Sequence, residues 1–263
     1  MQVVSRSTKR NSAEDRTRRY PAAVETSARL ELAQLIADEL ISHPEAVVGV
    51  ALFGSVARHE DSDASDIDLL VLVGRPAIGA RTLRTFLPSN VSTQRVSLAC
   101  YTESMLREGM RTHASLALHL KLEAAILADT GGRLSTIIHT PIDLHQAADA
   151  EIAALRSSLE RLRELRQYNG DYLFLLSRVY RISRSLVYAF LARLDIAEFD
   201  TATAFAVLSE HRQELAPYLQ ALERLRPFSD LTSEVPSSEL PFSREAHGAA
   251  AYALQAALKL ATA

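Results

Sequence analysis

At 263 residues, 48% hydrophobic and 23% charged, the chain can bury a full core and fits one large domain or two small ones. Its single cysteine, Cys100, excludes an internal disulfide, and no apolar run approaches the length of a membrane span, so the cytoplasm is the expected compartment. A net charge of −3 argues against a surface coated for phosphate-rich partners, yet it leaves room for a local basic groove.

Residues 1–20, "MQVVSRSTKRNSAEDRTRRY", are basic and lack the apolar segment that a signal peptide needs. They read as a flexible arm, either one that touches nucleic acid or a disordered terminus. In "VETSARLELAQLIADELI", residues 24–41, the apolar positions Leu30, Leu32, Leu35, Ile36, Leu40 and Ile41 recur at near-helical spacing. "AVVGVALF" is a continuous apolar run, as expected of a strand buried on both faces, and "DIDLLVLV" is a second. "RTLRTFL" reads as a short helix and "QRVSLACYT" as a third strand. "HASLALHLKLEAAILAD", residues 113–129, reads as one helix ended by Gly131 and Gly132.

After Pro141 the strand signals stop. From Leu144 to Leu165 the positions Ala148, Ile152, Leu155, Leu159 and Leu162 alternate steps of three and four, a seam that faces other helices. "DYLFLLSRVYRISRSLVYAFLARLD" is a second long helix, with further helices near 201–225 and 244–262 and a proline- and serine-rich loop at 226–242. The chain therefore reads as α+β, with a mixed-sheet unit over 21–141 and an all-helical unit over 142–263.

The stretch "VALFGSVARHEDSDASDIDLLVLV", residues 50–73, carries the chemistry. In an extended strand, Asp66 and Asp68 project to the same side, about 7 Å apart along the chain. Two carboxylates so placed repel each other unless a cation lies between them, and Mg²⁺ takes one or two carboxylates together with phosphate oxygens. Gly54 permits close backbone approach and Ser55 offers a hydroxyl and an N–H, so the pair suits a phosphate seat. The order strand, Gly-Ser, ten intervening residues, Asp-Ile-Asp, strand is specific in a way that neither dipeptide is alone.

"FGSVARHEDSDASDIDLLV" resembles the signature of the DNA polymerase β superfamily of nucleotidyltransferases, in particular minimal nucleotidyltransferases, aminoglycoside nucleotidyltransferases and nucleotidyltransferase toxins. The resemblance is carried by residues 46–73, is loose to about 140, and is only architectural beyond. It implies a polymerase-β-like domain followed by a helical bundle that binds the acceptor. It also implies transfer of a nucleoside monophosphate from an NTP to a hydroxyl or similar acceptor, with Mg²⁺ or Mn²⁺ and release of pyrophosphate. By position, Gly54, Ser55 and Ser65 would serve the nucleotide, and Asp66 and Asp68 the metals. Two departures stand out: His59 occupies a place where the family commonly has glycine, and Ser97 sits where a third carboxylate is expected. Either the register of this strand differs, or Glu103, just beyond it, substitutes for that acid, or the acceptor hydroxyl is activated in another way.

Among other residues, Arg58 is a candidate to stabilise phosphate charge and Lys121 to reach the triphosphate as a point charge. His113 and His119 lie six apart on the helix, on different faces, and so make poor metal partners. Arg178, Arg181 and Arg184 form a basic stripe, either a solvated outer face or a surface for an anionic acceptor. With the basic arm, the stripe favours RNA, tRNA or a protein as acceptor in a toxin–antitoxin or defence setting. A small hydroxylated acceptor such as an aminoglycoside is the alternative, and a catalytically weak nucleotide-binding regulator the rival from another class.

Overall fold

Val47–Phe53, seven residues dominated by valine and leucine, forms β1 at the centre of a four-stranded sheet and is buried along all but its last residue. The computed structural model describes residues 28–61, 65–88, 91, 96–163, 172–228 and 243–263; the basic arm lies outside these. β2, Ile67–Val73, runs antiparallel to β1, and β3, Val96–Tyr101, runs parallel to β2. β4, Ala125–Asp129, pairs antiparallel with the free edge of β1, giving the order β3-β2-β1-β4.

β4 corrects the expectation of one helix over 113–129. The helix stops at Leu122 and the chain turns at Glu123 before entering the sheet. Five mainly apolar residues fit a strand or a helix end equally well by pattern alone. The decisive factor is remote: without β4, the outer backbone groups of β1 would lie at the sheet edge without ladder partners. Gly131 and Gly132, both at positive φ, break the chain after β4 rather than after a helix.

Side-chain alternation sorts the sheet into two faces. Leu69, Val71 and Val73 join Val50 and Leu52 against α1, Ala28–Ile41, and α2, Ala80–Arg84. Leu70 and Leu72 point the other way, with Ala51, against α3, Glu103–Thr112, α4, Ala114–Leu122, and α5, Arg133–His139. Asp68 is in phase with Leu70 and Leu72, so it belongs to the face that α4 covers.

Among the described residues beyond Pro141 no strand occurs. α6, Leu144–Arg161, and α7, Tyr172–Arg193, pack with α8, Thr201–His211, α9, Ala216–Glu223, and α10, Ser243–Leu260. Their shared core includes Leu159, Leu176, Val187, Phe190 and Phe205. Of the seam read from sequence, Ala148, Leu159 and Leu162 are buried, with Ile152 and Leu155 packed against the core.

Small residues bring this bundle against the sheet unit: Ala114 meets Ala147, Ala148 and Ala192. Beside them the buried Glu151 carboxylate accepts from the Ser115 N–H at 3.0 Å and the Ser115 hydroxyl at 2.6 Å. Burial pushes the Glu151 carboxyl up, and the bonds from Ser115 partly offset that. No described helix is long and apolar enough to cross a membrane.

Candidate active site

β1 ends at Phe53, and the chain reverses through Gly54 at φ +80, a left-handed conformation that glycine adopts without strain. The antiparallel ladder pairs Phe53 with Asp68, which brings the turn against the start of β2. A Cβ on Gly54 would lie 2.6 Å from Asp68 Oδ2. The turn closes through bonds from Arg58 N–H to Gly54 O and from Glu60 N–H to Ser55 O. Among the described residues nothing accepts from the N–H groups of Ser55, Val56 and Ala57, or bonds the Ser55 hydroxyl. Val56 is buried, so it is the partly exposed Ser55 and Ala57 that can offer an N–H to anionic oxygens.

Asp66 lies one residue before β2 and is exposed, whereas Asp68 is half-buried within it. Burial pushes the Asp68 carboxyl above the usual range, and the charges of Asp66 and Glu123 add to this; a hydrogen bond with Ser97 and the field of His119 act the other way. Such a carboxylate is under-compensated by the protein itself. A divalent cation fits it, because Gly54 leaves room beside Oδ2 and the donors are two hard oxygens next to open phosphate-type donors. Among the described residues no group of three or more His, Cys, Asp or Glu side chains is arranged to hold a metal.

The parallel register pairs Asp68 with Ser97, on the same face of the sheet. Ser97 is therefore at the neighbouring-strand position where the resemblance places a third acid. Glu103 does not replace it. It lies two residues past the far end of β3, on the order of 20 Å along the strand from the level of Ser97. There it pairs with Arg107 at 3.0 Å and Arg133 at 2.8 Å, bonds that hold its carboxyl below the usual range.

Lys121 is also turned away: its Nζ donates to Thr140 O at 2.6 Å, on a different face of α4 from Glu123. Ser65 is tied to α1, its carbonyl accepting from Arg29, whose guanidinium also lies 3.8 Å from Asp61. Arg178, Arg181 and Arg184 are exposed on α7, with Arg178 over the Phe174 ring at 5.8 Å.

Arg58 does reach the turn region. Its Nε donates to Glu60 at 2.7 Å, its Nη1 to Glu123 at 2.5 Å, and it stacks over Phe199 at 5.5 Å. His59 has φ +58, so the position where the family has glycine keeps the glycine-favoured conformation despite its side chain.

Two residues at the site escaped the sequence reading as functional. Glu123, at the end of α4, accepts from Gly54 N–H at 3.2 Å and is also bonded to His119 Nδ1. The available signal was His119 and Glu123 four apart on one helix face, since such pairs interact. Its significance depends on Gly54 and Arg58, more than sixty residues earlier. His119 in turn packs against Phe199, ring centroids 4.6 Å apart and planes tilted by 38°, and lines a recess with Ser115, Tyr188, Ile196 and Glu198 where the helical unit meets α4.

Residues 34–101 match the family model of the nucleotidyltransferase domain, a span that takes in β1 to β3 and with them Gly54, Ser55, Asp66, Asp68 and Ser97. A comparison with curated proteins finds no match to this chain. The turn against Asp68, the Asp-x-Asp at the start of β2 and the matched segment coincide, and the chain thus carries a nucleotidyltransferase domain, consistent with the polymerase-β-like superfamily, and is an enzyme of that class.

Proposed function

We propose that the protein is a metal-dependent nucleotidyltransferase that moves a nucleoside monophosphate from an NTP to an acceptor, with the sheet unit, residues 21–141, binding the NTP and the helical unit, residues 142–263, shaping the acceptor site. The observation that carries this reading is the packing of Gly54 against Asp68, which brings an anion-binding turn and a metal-type carboxylate into contact. In the reaction, an acceptor oxygen forms a bond to the α-phosphorus as the bond from that phosphorus to the bridging oxygen breaks. Pyrophosphate leaves with the electron pair, and the acceptor proton passes to a base. Mg²⁺ or Mn²⁺ between Asp66 and Asp68 would supply charge neutralisation on the phosphates.

The chain's own groups do the rest. Ser55 offers its N–H and hydroxyl to phosphate oxygens, and the planar guanidinium of Arg58, already paired through Nε and Nη1, offers Nη2 beside the turn. Asp66 and Asp68 hold the cation. With Ser97 beside Asp68, the acceptor proton must find a base other than an acid on β3.

RNA, a tRNA end or a protein remains the favoured acceptor, through the exposed arginines of α7, in a toxin–antitoxin or defence role. A small hydroxylated acceptor such as an aminoglycoside is the second reading.

The test is incubation with each α-labelled NTP and Mg²⁺ or Mn²⁺, alone and with total tRNA, candidate proteins and a panel of aminoglycosides. Metal-dependent label transfer that disappears in Asp68→Asn is the expected result. Tight NTP binding without transfer under every condition would replace the enzyme reading with that of a nucleotide-binding regulator.

A further inference from the structure

Glu123 places a carboxylate with only 2% of its side chain exposed against the site, and each of its oxygens is used. Oε1 accepts from Gly54 N–H and is bonded to His119; Oε2 accepts from Arg58 Nη1. Three donors from three places therefore converge on one buried anion: the reversal after β1, the end of the same turn, and the preceding turn of α4.

A buried carboxylate is costly unless its partners repay desolvation. Here they do: burial pushes the Glu123 carboxyl up, but the bonds and charges of His119 and Arg58 outweigh it and hold the group below the usual range. Glu123 is thus ionised at neutral pH.

A carboxylate does not bind phosphate, so its value to an anion seat must be indirect. The geometry supplies the route. By accepting from Gly54 N–H, Glu123 fixes the peptide that leads into Ser55 and Ala57, whose N–H groups have no partner among the described residues. By taking Nη1 of Arg58 while Glu60 takes Nε, it fixes the guanidinium plane, and no described residue accepts from Nη2. Phe199 of the helical unit closes the arrangement, its ring beneath the Arg58 guanidinium and packed at a tilt against His119.

We propose that Glu123 is a positioning residue for the triphosphate, holding the Gly54-Ser55 turn and Arg58 in the arrangement that receives phosphate oxygens. The proposal rests on the nucleotidyltransferase reading above and adds to it a residue that lies outside the segment matched by the family model.

The probe is inorganic triphosphate with Mg²⁺, which carries the phosphate chemistry without a base, titrated by calorimetry into the full chain. Glu123→Gln keeps an oxygen for Gly54 N–H but turns a donor toward Arg58. It should weaken binding by about tenfold or more, the worth of a charge-assisted bond. Arg58→Ala should weaken binding similarly, and the double variant should bind no worse than the weaker single one, because both changes remove the same element. The Gly54 amide resonance should shift in Glu123→Asp, whose shorter side chain keeps the charge but not the reach. With each productive NTP, KM should rise more than kcat falls.

Wild-type binding together with unchanged affinity in Glu123→Gln, or losses that simply add in the double variant, would overturn the positioning role and leave Glu123 a packing anchor. No binding of triphosphate by the wild type would overturn the phosphate seat itself and the reading beneath it. If Glu123→Gln does not fold, Glu123→Asp decides: full affinity with an unmoved Gly54 resonance sinks the proposal.

Discussion

Gly54 and Asp68 pack so closely that a single added Cβ would sit 2.6 Å from Asp68 Oδ2. An added Cβ would displace the Asp68 carboxylate, and φ +80 is itself disfavoured for other residues. Gly54→Ala is expected to cost about 1–2 kcal/mol from backbone conformation alone, with the clash added. It should also reduce NTP affinity. Urea denaturation and calorimetric titration measure the two; a variant as stable and as tight-binding as wild type would remove the turn from the site.

Asp68 is the group whose charge the metal-free fold opposes. Its carboxyl is raised by burial and then by Asp66, so below the ordinary carboxylate value its protonation favours the fold, and this contribution is lost as pH rises through the raised value. In chelator at pH 7, Asp68→Asn should therefore match or exceed the wild type in Tm while abolishing transfer. Mg²⁺ should raise the Tm of wild type more than that of the variant. A variant that lost stability in chelator would contradict this account.

The register of Asp68 with Ser97 makes a direct experiment of the absent acid. Ser97→Asp places a third carboxylate beside Asp68, so Tm in chelator should fall through like-charge repulsion and recover with Mn²⁺. If turnover is limited by a missing base, it should rise, within the roughly 10²- to 10⁴-fold that such a group contributes. Unchanged turnover would mean that another group already accepts the proton.

His59 pays for a backbone that suits glycine, at φ +58. His59→Gly should relieve strain and raise the unfolding free energy by about 1 kcal/mol or slightly less, because glycine also loses more chain entropy on folding. Transfer should be unaffected, since the turn keeps its path. A drop in Tm would show that the imidazole makes a contact worth more than the strain.

The local pattern was enough for the parts of this protein whose physics is local. Apolar runs bounded by turn residues marked β1, β2 and β3, and steps of three and four marked α6, because side-chain periodicity follows from backbone geometry within a few residues. The Gly-Ser turn and the Asp-x-Asp were legible for the same reason: both sit at strand ends, and antiparallel pairing of adjacent strands leaves little choice of where they meet. Ser97 was implied as the residue beside Asp68 by the resemblance alone, and the parallel register of β2 with β3 puts it there.

Tertiary structure alone decided what depended on distant partners. Ala125–Asp129 became β4 because β1 had an edge to fill, not because its five residues prefer extension. Glu103 fell to the wrong end of β3 because strand direction separates it from Asp68, although only a few residues separate it from Ser97 in sequence. Glu123 looked like one more charge on a helix. Its role arises from long-range packing that brings Gly54, Arg58 and Phe199 around α4, and an ionised carboxylate acquires meaning only from the donors that surround it after water has been removed.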